Sequence, residues 1–177
     1  MMRVLVGGIS GVGKSTFARA LASRTGLPYH EMDALFHGPG WEPRDSFVAD
    51  VVQIASQDQW VFDSHGYAAV KDLVWDRADT LVWLDYSRLV VMPRVLGRST
   101  ARALGRAPIF NGNVEHFKDW ADPTHPVQWA WTQFTPRRSE LTARSADDRW
   151  SHLRVIRLKT PRAAARWLAA VAPTGQV

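Results

Sequence analysis

The chain contains no cysteine. That excludes a disulfide framework and any zinc site built on thiolates, and it agrees with a reducing compartment. It has no apolar run approaching the roughly 20 residues that a membrane-spanning helix needs. Met1-Met2-Arg3 leads directly into a β-branched stretch, so no signal peptide is expected and the cytoplasm is the expected location. Internal repeats and low-complexity linkers are missing too. Lysine is scarce: Lys14, Lys71, Lys118 and Lys159 are the only ones. Between Asp85 and Glu115 there is no acid at all.

What remains is an arginine-rich chain of 177 residues with net charge +5 and a pI near 10.1. Its length suits one domain, read here as residues 1–172 with a tail at 173–177. Arginine suits bidentate contacts to phosphate, so the balance fits nucleic acid or phosphate-rich small molecules and does not choose between them.

The most informative stretch is Gly8-Ile9-Ser10-Gly11-Val12-Gly13-Lys14-Ser15, followed by Thr16. It fits G-x-x-x-x-G-K-[ST], the phosphate-binding P-loop, and lies between an apolar strand pattern and a helix pattern, as that motif requires. Glycine lets the backbone take conformations closed to residues with a Cβ, so its N–H groups can converge on an anion. The free N–H groups and dipole of the next helix add to that potential. Lys14 is expected to reach the β- and γ-phosphates of ATP, and the Ser15 hydroxyl to hold Mg²⁺.

Strand-like and helix-like stretches alternate, which predicts an α/β fold with a parallel sheet. Strands are expected at Arg3 to Ile9, Tyr29 to Met32, Trp60 to Phe62, Thr80 to Leu84 and Leu153 to Leu158. Helices are expected near residues 14–25, 45–57, 67–77, 88–105, 127–145 and 161–171. Three of the strands run into an aspartate: Asp33, Asp63 and Asp85. In a parallel sheet these carboxyl ends share one edge with the P-loop, where Mg²⁺ finds oxygen ligands.

Asp63 is the first choice for the metal-side acid, holding a Mg²⁺ water or acting on the acceptor hydroxyl. Asp85 is the alternative, and each could instead cap a helix. Asp33 is placed on the acceptor, with Trp41 in a Gly/Pro loop as a stacking wall and Tyr67 as a further contact; His65 is a weaker candidate. Arg94, Arg98, Arg102 and Arg106 recur every four residues, along one helix face. That face is a solvated surface, a lid closing on phosphates with Arg98 foremost, or a nucleic-acid contact. Arg137-Arg138 could clamp phosphates from the other side. His116 and His125 lack metal-ligand spacing, and Trp129, Trp131, Trp150 and Trp167 read as packing.

These segments together resemble the adenylate kinase-like P-loop kinases, above all the bacterial group labelled DNA topology modulation or adenylate kinase-related proteins. The resemblance rests on Gly8 to Thr16, His30-Glu31-Met32-Asp33, Trp60 to Tyr67, Ala78 to Asp85 and Phe134 to Arg138. It implies the nucleoside monophosphate kinase-like P-loop fold with strand order 2-3-1-4-5, an acceptor region near residues 33–57, a lid near 97–126, and ATP with Mg²⁺. Arg162, in Lys159-Thr160-Pro161-Arg162, falls where such kinases line the adenine. One departure is plain: Ser64-His65-Gly66-Tyr67 replaces the Gly-Phe-Pro-Arg by which adenylate kinases grip a nucleotide acceptor. The expected activity is transfer of the γ-phosphoryl of ATP to a small molecule or nucleotide. The alternative is a nucleotide-binding regulator that touches nucleic acid through its basic helix.

Overall fold

A computed structural model describes residues 1–105 and 126–172. Arg106, His116, Trp120, His125, most of the expected lid and the tail lie outside the described residues. In chain order the elements are β1 (Arg3–Gly7), α1 (Lys14–Thr25), β2 (Tyr29–His30), α2 (Met32–Phe36), α3 (Phe47–Ala55), β3 (Trp60–Phe62), α4 (Lys71–Arg77), β4 (Thr80–Leu84), α5 (Arg88–Gly105), α6 (Pro126–Thr132), α7 (Phe134–Ser145), β5 (Arg154–Leu158) and α8 (Pro161–Ala170). Short 3₁₀ turns occupy Pro39–Trp41 and Asp148–Trp150.

The sheet is five-stranded and parallel, in the order β2-β3-β1-β4-β5. This is an α/β P-loop NTPase architecture with helices on both faces. β1 lies at the centre, and its period-2 alternation sorts side chains between the two layers. Val4 and Val6 join Phe17, Leu21, Val91 and Val95 on one face. Leu5 joins Phe47, Trp75 and Leu141 on the other. Val4, Leu5 and Val6 are fully buried, which is why β1 reads as an unbroken apolar run.

Several boundaries differ from the sequence pattern, and three of the differences matter here. β2 stops at His30, and Asp33 sits in the first turn of α2 rather than at a strand end. The helix expected over 127–145 is two helices, separated at Gln133, which adopts φ −88° and ψ 0° at the start of α7. α4 begins at Lys71, because the preceding turn is taken by Gly66 at φ +97° and pressed against the Lys71 backbone. α5 runs through Pro93. α8 starts as its sequence suggests, with Thr160 Oγ1 accepting from the Ala163 N–H at 3.1 Å ahead of Pro161.

Asp85 follows β4 and is buried. It does not face the P-loop as a free acid. The Arg138 Nε lies 2.8 Å from its Oδ1, and Arg157 donates to Oδ2 from Nη2 at 2.6 Å. Both oxygens of Asp85 are thus paired with guanidiniums, one of them that of Arg138. Breaking a buried pair costs about 3–5 kcal/mol, and half-exposed guanidiniums that can return to water lower that to about 2 kcal/mol. Asp85→Asn is expected to lower the urea-unfolding free energy by that amount.

Candidate active site

The P-loop has the backbone its sequence requires. Gly8, Gly11 and Gly13 have φ of 143°, 78° and 101°. A Cβ on Gly8 would stand 2.7 Å from the Leu84 carbonyl oxygen, and one on Gly11 would stand 2.0 Å from Val95 Cγ2. The loop is thus clamped between the end of β4 and α5. Gly13 is the N-cap of α1 and no side chain caps that end, so the first-turn N–H groups remain available to an anion. Lys14 Nζ donates to the Ile9 carbonyl at 3.2 Å, folding back over the loop. Burial is the main cause that pulls its pKa below the ordinary lysine value, with Asp33 and Asp63 opposing and Arg98 and Arg137 assisting.

A cleft of about 320 Å³ opens beside the loop. Gly8, Ile9, Ser10 and Lys14 form one wall. Asp33 and His37 come from the α2 region, Ser64 to Tyr67 from the turn after β3, and Trp129 and Arg137 from α6 and α7. Four chain segments that are distant in sequence therefore meet on the edge where the strands end.

The two other aspartates are held differently. Tyr29 donates its hydroxyl to Asp63 Oδ2 at 2.9 Å, and the Met32 N–H donates to Oδ1 at 2.9 Å. Both oxygens of this buried carboxylate are thus engaged, and Asp63 pins β2 and α2 to β3. It also acts on Lys14 through space. Asp33 borders the cleft, with Tyr67 donating to its Oδ1 at 2.8 Å. Tyr67 stacks on Phe36 at 4.1 Å between ring centroids. Burial, followed by the Asp33 charge and hydrogen bond, pushes the Tyr67 hydroxyl far up, so it stays a donor.

Trp41 does not line the cleft. It adopts φ +65°, is 40% exposed, and meets His37 edge-on at 5.3 Å; it stands at the rim behind a residue that does. Trp129 was read as packing, yet it borders the cleft, with the Arg137 guanidinium 5.5 Å from its ring centroid. The only signal for it was its nearness to Arg137 in sequence. Arg137 also meets Glu140 Oε2 at 3.3 Å, and Glu140 Oε1 takes Lys71 Nζ. Arg94, one of the four spaced arginines, donates from Nη1 to the Val12 carbonyl at 3.3 Å, and Arg98 is close enough to act electrostatically on Lys14. Ser15 is half-buried, while Thr16 and Arg162 are exposed at the starts of α1 and α8.

His65 is buried within this wall, and neither ring nitrogen has a hydrogen-bond partner among the described residues. Burial first, then Lys14, Arg137, Lys71 and Arg144, holds its pKa well below the ordinary value of 6.5. The folded chain therefore refuses a proton that the unfolded chain accepts. Stability is expected to be whole above pH 6.5 and to fall as the pH drops below it. Urea melts from pH 7.5 to 5 should show that slope, reduced in His65→Phe.

Comparison with solved structures finds the same fold elsewhere. A gluconokinase from Sinorhizobium meliloti 1021 matches with a TM-score of 0.51 at 20% identity, over 97% of this chain and 93% of that one. A shikimate kinase from Acinetobacter baumannii, in complex with shikimate, matches with a TM-score of 0.56 at 16% identity, over 96% and 89%. The chain has the fold of the P-loop kinases. No family model and no curated protein matches it, so the likeness stands at the level of the fold. Among the described residues no helix is long and apolar enough to cross a membrane.

Proposed function

We propose that the chain is an ATP-dependent kinase that transfers the γ-phosphoryl group to a small hydroxylated acceptor. One observation carries this reading: the glycine nest with Lys14 and the carboxylate of Asp33 face the same cleft. The positive-φ glycines and the uncapped start of α1 fit a polyphosphate. Among the described residues no group of three acidic or imidazole side chains could cage a metal. That suits Mg²⁺, which keeps several waters and takes one or two protein ligands beside the phosphates. Ser15 would hold it, and when bound it would neutralise charge on the transferred group.

The remaining chemistry falls to this chain's own side chains. Lys14 exchanges the Ile9 carbonyl for phosphate oxygens. Asp33, oriented by Tyr67, accepts the proton of the attacking hydroxyl. Arg98 and Arg137 offset charge as the phosphoryl group moves, and positioning with such electrostatics supplies most of the catalysis phosphoryl transfer needs.

The acceptor side is poorly equipped for a nucleotide. Arg44 is the only arginine between residues 33 and 57, and it is spent on Asp50, 3.1 Å away, and on Ser46. The two matched proteins, one a gluconokinase and one bound to shikimate, agree with a non-nucleotide acceptor. The nucleic-acid alternative needs a free basic stripe on α5, but Arg94 donates to the P-loop and Arg98 lies near enough to act on Lys14. The test is a panel of sugars, polyols, hydroxy acids and nucleotides incubated with MgATP, with products identified by mass. A phosphorylated small acceptor formed in equal amount with ADP, and lost in Asp33→Asn, is the expected outcome. ATP consumption without any phosphorylated product would overturn the kinase reading.

A further inference from the structure

The unpartnered imidazole in the cleft wall plays no part in the transfer described above. His65 is only 7% exposed, and both of its nitrogens lack a partner among the described residues. Buried side-chain nitrogens seldom go unpaired in native proteins, and each such group calls for a specific reason. The backbone around the ring is fixed: the Trp75 indole N–H donates to the His65 carbonyl at 2.9 Å, and Gly66 is wedged against Lys71. The missing partner is therefore not supplied by a simple shift of the turn. His65 itself borders the cleft, beside Ser64, Gly66 and Tyr67.

We propose that His65 is a specificity-determining residue that reads a second hydroxyl of the acceptor, distinct from the one that attacks the phosphoryl group. The proposal rests on the kinase reading and narrows it to acceptors with at least two hydroxyls. The choice of group follows from the ring and its neighbours. A neutral imidazole offers one donor and one acceptor nitrogen. The charged groups facing it are Lys14 from α1, Lys71 from α4, and Arg137 and Arg144 from α7, with Glu140 already taken by Lys71 and Arg137. Burial first, and then these four cations, keep positive charge off the ring. A carboxylate or phosphate can satisfy only its N–H, and an ammonium only its bare nitrogen. A hydroxyl can pair with either. Contact with the hydroxyl requires the ring to turn about its Cα–Cβ bond, toward the cleft that His65 already borders.

The test uses the full chain with MgADP and selective ¹⁵N-histidine labelling. The probes are shikimate, glucose, glycerol and ethylene glycol, each beside the analogue lacking one hydroxyl. A change in the His65 ring nitrogen shifts on adding a polyhydroxylated probe, absent with its deoxy analogue, is the expected result. Binding is expected to favour that probe over its analogue by 10-fold or more. His65→Phe should remove the preference, and His65→Asn, which keeps a donor and an acceptor, should retain part of it. Circular dichroism and melting of both variants separate this from a loss of fold. A His65 signal that none of the probes moves, or a preference unchanged in His65→Phe, overturns the proposal. Because the readout is binding, it stands apart from the turnover assay: a His65 response without phosphorylated product would sink the kinase reading alone.

Discussion

Replacing Lys14 by alanine is expected to lower phosphoryl transfer by at least about 10³-fold, the scale on which single cationic groups act at a transferring phosphate, while leaving the fold intact. The two halves of this expectation come from the same side chain. Among the described residues its ammonium has only the Ile9 carbonyl as a direct partner, at 3.2 Å. Its pKa is held below the ordinary value by burial first, with Arg98 and Arg137 adding to that. A cation that the folded state holds less willingly than the unfolded one does not stabilise the protein at neutral pH. Removing it should leave the melting temperature unchanged or raise it. The sign can be checked by pH. The unfolded chain keeps the lysine proton longer, so wild-type stability should climb as the pH rises toward 10.5, and the variant should lose that gain. Nucleotide binding by calorimetry and turnover by coupled assay separate the two effects. A variant that keeps full turnover would remove Lys14 from the site.

The fold was largely legible because its signals are local. β1, β3 and β4 are short, mostly apolar runs that are buried apart from Arg3, and the P-loop announces its own strand and helix. The elements that escaped are those whose identity depends on tertiary contacts. α2 is five residues long, too short for periodicity to show, and its first turn is held by the Met32 N–H on Asp63. The break at Gln133 did have a mark, Pro136 in the first turn of α7, which has no N–H to offer the carbonyl four residues back, but it lies inside an otherwise helical pattern. The site was legible in its residue types and less so in its roles. Three aspartates near strand ends look alike in sequence, and what separates them is who meets them: two arginines at Asp85, a tyrosine and a backbone N–H at Asp63, the cleft and Tyr67 at Asp33. Tyr29 and Tyr67 each reach an aspartate 34 positions away, and no spacing rule finds such a pair. The arginine stripe was legible as a face, but only packing shows that Arg94 touches the loop itself.

That packing makes Gly11 a sensitive position outside the charged groups. Gly11→Ala is expected to destabilise the chain by about 2–4 kcal/mol, combining the cost of a left-handed alanine with overpacking, and to weaken nucleotide binding by more than about 10²-fold through distortion of the amide nest. The added methyl would stand 2.0 Å from Val95 Cγ2 and 3.3 Å from Val95 Cβ. Val95 is β-branched, so it has few rotamers with which to yield, and it is fully buried beside Val91 and Val12. The loop and α5 must part, carrying Arg94 away from the Val12 carbonyl. Val95→Ala alone opens a small cavity, which also destabilises. In the double variant the new methyl occupies that space. The two changes should then cost less together than the sum of their separate costs, a coupling measurable by urea denaturation of the four proteins in the cycle. Nucleotide affinity should recover only in part, because a backbone with φ of +78° still carries a residue that disfavours it. Strict additivity in stability would mean that α5 is not seated on the loop, and the arginines it carries would lose their path to the phosphates.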